Sequence, residues 1–456
     1  MNHGQEGQSL LLACVFLLVL SGGCFFLFDT GQLLAERIRL SAAADHTAYG
    51  VAVEEARLLN LNAYLNRAAL ANQLAVAQAV SVSSWAEFVQ PLPATTAPLL
   101  APPMTPVGVP VHAASQTLAA GLRFVPDLMM PLILQSQVAN RLLEKHQRLL
   151  NDIYYPVLMH DSLTQSIKAS GLQAEGVRAG YLATTDRLSR FVKRYEGVER
   201  TRFAAVLMDS RDAFTRSRKR MDEGLGLGEK CDRVFPGMPW YELKKRGGTG
   251  LLGLDEWKAM DTFSMHTYVG YWKFRRLRWK WVCSHSEFPI GYGSAAISPS
   301  GKDEDNRGAG NFDGSWAVNP SGSLSSRTLT PRFDVRQGGE ALAPAVPEHA
   351  DLTPERLAEP DPRLRVVIRL TKPLNKLPVT SKASALKAGS TLEMYEQLKG
   401  DELAALSKAE IYFQRPASGY LNNGKIEKPG LLNPYWRVRM TEPDRADRVA
   451  TVMAIP

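Results

Sequence analysis

The chain opens with twenty residues that carry no charge, Ser9 to Phe28, reading SLLLACVFLLVLSGGCFFLF. At about 1.5 Å of rise per residue such a helix reaches about 30 Å, the thickness of a bilayer's hydrocarbon layer. A cleaved secretory signal has a basic stretch first, a shorter apolar core and a small-residue cleavage site. Here no Lys or Arg precedes the run. The expectation is a retained transmembrane helix over 9–28 behind a short tail at 1–8, ahead of a cleaved signal or a buried helix of a soluble fold.

Residues 51–90 contain neither Gly nor Pro. Leu58, Leu61, Leu65, Ala69, Val76 and Val80 recur at helical spacing and read as one face. The spacing predicts that the anchor continues as a long helix over 29–90, with Gly22-Gly23 its one weak point. Asn72 falls within this stripe, and Asn62, Asn66 and Gln73 lie beside it. A polar amide at a packed helical position costs stability but sets register with a partner helix. A solvated amide needs no partner, yet the abundance of small alanines favours a packing surface.

Seven prolines then crowd Pro91 to Pro110, and proline's missing amide proton and fixed φ allow neither helix nor central strand. Residues 91–114 read as a stiff linker. Helical spacing returns over 115–223, as in VANRLLEKHQRLL at 138–150 and TTDRLSRFVKRY at 184–195, with breaks near Pro126, Pro131, Pro156 and Gly171. From 224 to 456 the pattern changes to period two. Leu277, Trp279, Trp281 and Cys283 alternate with Arg278, Lys280 and Val282, as on a strand with one buried face. Strand-like runs recur at 364–370, 409–413, 435–440 and 449–455, with long polar loops at 298–322 and 340–362. The fold class expected is α+β: a transmembrane helix, a long helix and helical region, then a β-rich C-terminal domain.

The formal charge of +8 adds little, because much of the excess lies between Arg141 and Arg220, ending in Arg211, Arg216, Arg218, Lys219 and Arg220. On helices such residues form a solvated face, with contact to anionic lipid as the alternative. Trp272 to Trp281, WKFRRLRWKW, interleaves rings and cations, which suits a strand with its tryptophans inward better than a nucleic-acid surface. No nucleic acid is expected. Cys231 and Cys283 form one disulfide if this part of the chain is exported, although two free buried thiols give the same sequence pattern.

Catalytic signatures are weak. Phe28-Asp29-Thr30-Gly31 has the local form of an aspartic-protease motif but no second copy, and that chemistry needs two carboxylates. His266, Cys283 and His285 lack the short paired spacings of structural zinc. With no P-loop, dinucleotide fingerprint or serine elbow, neither enzymatic activity nor a metal or cofactor is expected.

Gly7-Gln8 before the apolar run, Asp29 and Gly31 after it, and then Leu40, Ala43, Ala44 and Asp45 resemble the TadE/TadG-like family of Flp (type IVb) pilus-assembly proteins. The resemblance spans roughly residues 5 to 50. It implies an inner-membrane anchor, a periplasmic body and a role in building adhesive pili. Cleavage after Gly7 would place Leu12 where processed pilins carry Glu, so a retained anchor is expected. Arg37 and Arg39 follow the run, which by the positive-inside rule alone would place the body in the cytoplasm; the family topology is preferred because long domains weaken that rule.

The reading that follows is a single-pass inner-membrane component of a pilus or secretion apparatus, whose partners are pilin-like or platform proteins. The competing readings are a membrane-tethered hydrolase or binding protein with its site in the C-terminal domain, and a secreted adhesin.

Overall fold

A computed structural model describes residues 6–92, 108–172, 175–226, 229–297, 318–322, 332–333, 344–373, 376–377, 402–415 and 427–453. Most of the polar loop expected at 298–322 and the proline-rich stretch 93–107 lie outside the described residues. The chain forms two compact units, each gathered from separate pieces. Unit 1 comprises Met1–Tyr64, Gln147–Lys193 and Ala350–Pro456; unit 2 comprises Leu65–His146 and Arg194–His349.

One helix, α1 (Glu6–Val89), supplies residues to both units and runs through Gly22-Gly23 without a break. Helix α2 (Gly108–Leu122) begins inside the stretch read as linker, and α3 (Val125–Leu149) follows. Two prolines fall where a helix tolerates them, Pro126 in the first turn of α3 and Pro156 in the first turn of α4 (Tyr155–Ala169). Pro131 lies inside α3, and a π-helical turn at Leu150–Tyr154 joins α3 to α4. Gly171, at φ +71°, ends this helical stretch in the left-handed conformation that glycine adopts freely.

In unit 1, β1 (Arg178–Tyr181), β9 (Leu364–Pro373), β10 (Glu402–Phe413) and β11 (Trp436–Thr441) form an antiparallel sheet in the order β1-β9-β10-β11. Its core joins Leu40, Ala43, Ala44, Ala48, Val51, Ala52 and Leu59 of α1 to Val366, Ile368, Leu370, Leu403, Ala405, Ile411 and Trp436 of the sheet. Alanines on α1 remove the bulk that would hold the helix off the sheet. Each fully buried branched side chain then contributes roughly 1.5–3 kcal/mol.

In unit 2, β3 (Arg220–Leu225), β4 (Pro239–Leu252), β5 (Glu256–Arg275), β6 (Arg278–Ile297) and β7 (Arg332–Phe333) form a five-stranded sheet in chain order. It is antiparallel except between β6 and β7. Here the sheet makes the room. A Cβ on Gly293 of β6 would overlap the backbone of Ser84, Glu87 and Phe88 in the last turns of α1, and one on Gly291 would meet Leu92 and Phe88. At this crossing Ser84 Oγ donates to Asp261 Oδ2 at 2.8 Å, and Ser81 and Thr249 share a hydroxyl bond of 2.7 Å.

Three segments differ from the sequence reading. Residues 184–195 are not helical: they hold a short 3-10 turn at 188–190 and strand β2 (Val192–Tyr195), which pairs with β8 (His349–Leu352) and sets Leu188 and Phe191 into the core. Residues 340–362, read as a loop, contain β8 and a short helix, α7 (Pro354–Ala358), among their described part. Residues 449–455, read as a strand, are helical up to Met453 in α8 (Arg445–Met453). The cause is local: Asp444 N donates to Asp447 Oδ2 and Asp447 N to Asp444 Oδ1, both at 3.0 Å, a reciprocal cap that starts a helix. Helices α5 (Thr201–Asp209) and α6 (Ala213–Arg216) complete the described elements.

Two substitutions test the helix crossing in unit 2. Gly293→Ala forces α1 away from β6 and should cost about 1–3 kcal/mol by overpacking. Asp261→Ala leaves Arg218 buried without its carboxylate and should cost about 3–5 kcal/mol. Both are read as lowered midpoints in denaturant unfolding, and an unchanged midpoint for either would show that the crossing is not tight.

Candidate functional site

The candidate site is α1 itself, taken from its apolar start to its packed face. Leu10 to Phe28 stand exposed, and the most apolar stretch of this helix is 0% buried. A Cβ added to Gly22 or Gly23 would meet nothing within 4 Å. Among the described residues, a second helical stretch, Val109–Ala169, is also long and apolar enough to cross a membrane by length and composition, its apolar window 6% buried. Burial begins abruptly at Asp29, which is 2% exposed.

The residues that follow seat the helix on the unit 1 sheet. Leu40, Ala43 and Ala44 are buried, while Gly31 stays on the surface. Asp45 accepts a hydrogen bond of 2.7 Å from Ser407 Oγ on β10. Nine residues earlier, Glu36 accepts from Lys372 Nζ at 2.7 Å, and Lys372 also bonds Glu175. The side chains of Gly7-Gln8 fall outside the described residues.

The expected packing stripe is rotated from where the apolar residues place it. Leu58, Ala69, Val76 and Val80 are buried, but Leu61 is 41% exposed, and Leu65 and Asn72 are only half-buried. The centre of the face is held by Asn62, Asn66 and Gln73, each at most 2% exposed. Partners from distant segments explain this. Asn62 and Asn151 exchange amide bonds of 3.0 and 3.2 Å, and Gln73 accepts from Trp257 Nε1 at 3.1 Å while donating to Pro344 O at 3.2 Å. Asn72 donates to Asn140 on α3 at 3.2 Å. The run 62, 66, 69, 73, 76, 80 keeps a four-three helical spacing, so counting position without regard to polarity was the signal available in the sequence.

Several expected charges are also inward. Arg211 and Arg218, read as part of a solvated basic face, are 6% exposed, whereas Arg216, Lys219 and Arg220 are exposed. Arg218 Nε bonds Asp261 at 2.8 and 3.0 Å, and Lys245 Nζ reaches the same carboxylate at 2.7 Å. Burial alone would push the Asp261 carboxyl up, but the two cations and their hydrogen bonds outweigh it and hold the group below its ordinary value.

Cys231 and Cys283 are joined, with Cα atoms 5.6 Å apart. His266 and His285 stack, with Nδ1 and Nε2 2.8 Å apart, and Asn319 Oδ1 lies 3.2 Å from His266 Nε2. Glu287 is engaged by Ser264 Oγ and the amides of Ser321 and Gly322. These groups are committed to one another. Among the described residues no three His, Cys, Asp or Glu side chains come together as a metal site.

One buried acid on α1 is poorly served. Glu55 is 2% exposed; Tyr155 Oη donates to its Oε1 at 2.8 Å, while Oε2 has no hydrogen-bond partner. Burial raises its pKa to about 8 against the opposing Tyr155 bond, with Asp186 adding repulsion. The folded state therefore keeps a proton that the unfolded state releases near 4.5, so stability is full below that pH and falls as pH rises toward 8. Glu55→Gln should flatten this slope and raise the unfolding midpoint most at pH 8, by several degrees in a thermal melt; an unaltered pH profile would show that Glu55 is ionised in the fold.

No curated protein and no solved structure matches the chain. Residues 7–54 match a family model described as "Putative Flp pilus-assembly TadE/G-like". The matched span begins just before the exposed apolar run and ends one residue short of Glu55, so it takes in that run and the alanine face seated on the unit 1 sheet. It is in this segment, residues 7–54 of 456, that the chain is similar to the TadE/G-like family of Flp pilus assembly.

Proposed function

We propose that the chain is a membrane-anchored, non-catalytic component of a Flp-type pilus-assembly or secretion apparatus, acting through contact. The observation that carries this reading is the match over residues 7–54, because the matched segment joins an uncovered apolar helix to one that its own fold has already packed. A helix bare on every side over a bilayer's thickness needs lipid or other helices around it. Gly22 and Gly23, open on their outer side, offer a place for a neighbouring pilin-like helix to approach.

The body then lies in the periplasm and the anchor crosses the inner membrane once. The disulfide between Cys231 and Cys283 supports an oxidising compartment for unit 2. A single crossing is favoured because the second apolar stretch carries Arg123, Asp127, Arg141, Glu144 and Lys145, and because its Asn140 is tied to Asn72. The face of α1 beyond Tyr64 serves the chain's own fold, so the partner-facing surface is moved to the anchor.

The test is site-specific photo-crosslinking in cells that build the apparatus. A crosslinker at Leu17 or Phe25 should capture a second apparatus subunit, while one at the sheet-packed Ala44 should capture none. Capture of lipid alone from both anchor positions would leave the protein anchored but without its assembly role. Deletion of 9–28 should release the protein from membranes in carbonate extraction, and retention of the truncated chain would refute the anchor.

A further inference from the structure

The long β5–β6 hairpin of unit 2 ends in a segment that the proposed role does not use. Its last pairs, Trp272–Trp281, Lys273–Lys280, Phe274–Trp279 and Arg275–Arg278, are in register around a two-residue turn. Residues opposite one another share a face and neighbours along the strand alternate. One face therefore holds only rings, Trp272, Phe274, Trp279 and Trp281, and the other only cations, Lys273, Arg275, Arg278 and Lys280.

The alternation in this stretch predicted one buried face, and the strand forms, but neither face is covered. Trp272, Phe274 and Trp279 are 48%, 54% and 65% exposed, and Leu277 at the tip is 89% exposed. The rings are nonetheless ordered among themselves. Trp272 meets Trp281 edge-on with centroids 5.2 Å apart, and Phe274 meets Trp279 at the same distance. Trp281 lies over Gly270, where a Cβ would strike its ring, and donates its indole proton to Cys231 O at 3.2 Å, just where the disulfide ties that loop to Cys283.

The turn is chemically unusual. Arg276 and Leu277 have φ of +52° and +62°, a conformation that such hairpin turns normally give to Asn and Gly. Bulky side chains held there at the exposed end of a hairpin point to a use for those side chains. No acidic residue occurs between Asp261 and Glu287, and among the described residues none of the five cations from Lys273 to Lys280 makes an ion pair.

We infer that residues 271–281 are an interfacial lipid-binding element selective for anionic phospholipid. Such a surface satisfies both faces at once: the rings settle at the boundary between headgroups and acyl chains, and the cations reach lipid phosphates. A nucleic acid would use the same rings and cations, and it is the proposed anchor that favours a lipid surface. The inference rests on the anchored reading in one respect, that the anchor holds the hairpin at high local concentration near a bilayer.

The experiment uses the full chain with Cys14→Ser, Cys24→Ser and Leu277→Cys, labelled at the tip with an environment-sensitive fluorophore. It is reconstituted with vesicles of phosphatidylcholine alone or mixed with phosphatidylglycerol. The expected result is a blue shift with a severalfold rise in intensity only in the mixed vesicles, weakened by high salt and lost in Arg275→Glu/Arg276→Glu/Arg278→Glu. As a measurement without substitution at the tip, brominated phosphatidylglycerol should quench tryptophan emission of the native chain more than that of Trp272→Phe/Trp279→Phe. Co-flotation with either vesicle while the tip emission stays unchanged overturns the inference and leaves the anchor standing. Loss of co-flotation with neutral vesicles counts against the anchor alone, since the tip signal with phosphatidylglycerol is scored separately. A shift produced by poly-glutamate but not by anionic vesicles would replace lipid with an acidic protein partner.

Discussion

The structure depends on bringing the axis of α1 close to a β-sheet. In unit 1 the helix is trimmed, with Ala43, Ala44, Ala48 and Ala52 facing branched residues on β9 and β10. In unit 2 the sheet is trimmed: Gly293 of β6 admits the backbone of the helix's last turns, and Gly291 the side chains of Phe88 and Leu92. Both solutions serve the same physics. Dispersion falls steeply with separation, so a helix held off by one ring of larger side chains would lose contacts along its whole packed face.

Close approach also brings polar groups out of water, and each then needs a partner. Asn62 has Asn151, Gln73 has Trp257 and Pro344, and Ser84 has Asp261, which in turn holds Arg218 and Lys245. These pairs fix the rotation and register of α1, because a slip of one residue would bury amides and charges with nothing to bond. Not every group is served: the second oxygens of Glu55 and Glu87 have no partner, and burial raises the pKa of each carboxyl to about 8.

Many of the described buried polar groups are spent on the chain's own framework. His266 bonds His285 and Asn319, Glu287 is held by Ser264, Ser321 and Gly322, and the arginines that made the chain look basic partly point inward. Among the described residues, the fold leaves uncovered two large apolar surfaces, the first turns of α1 and the aromatic face of the β5–β6 hairpin.

The apolar start of α1, the long helix after it, the family likeness at its start and the strands of β5, β6, β9, β10 and β11 were legible in the sequence, because each is set by local pattern: unbroken apolar length, period 3.6 or period two. At Asp444 and Asp447 a helix cap stands just before the β-like run, and the cap decides that run's conformation. Which side of α1 packs was not legible from hydrophobicity, since Leu61 faces out and Asn62 and Gln73 face in according to partners 89 and 184 residues away. Nor could period two tell whether Trp279 would be covered. Local pattern decides which side chains share a face, whereas burial of that face depends on whether a distant part of the chain arrives to meet it, and only the tertiary structure decides that.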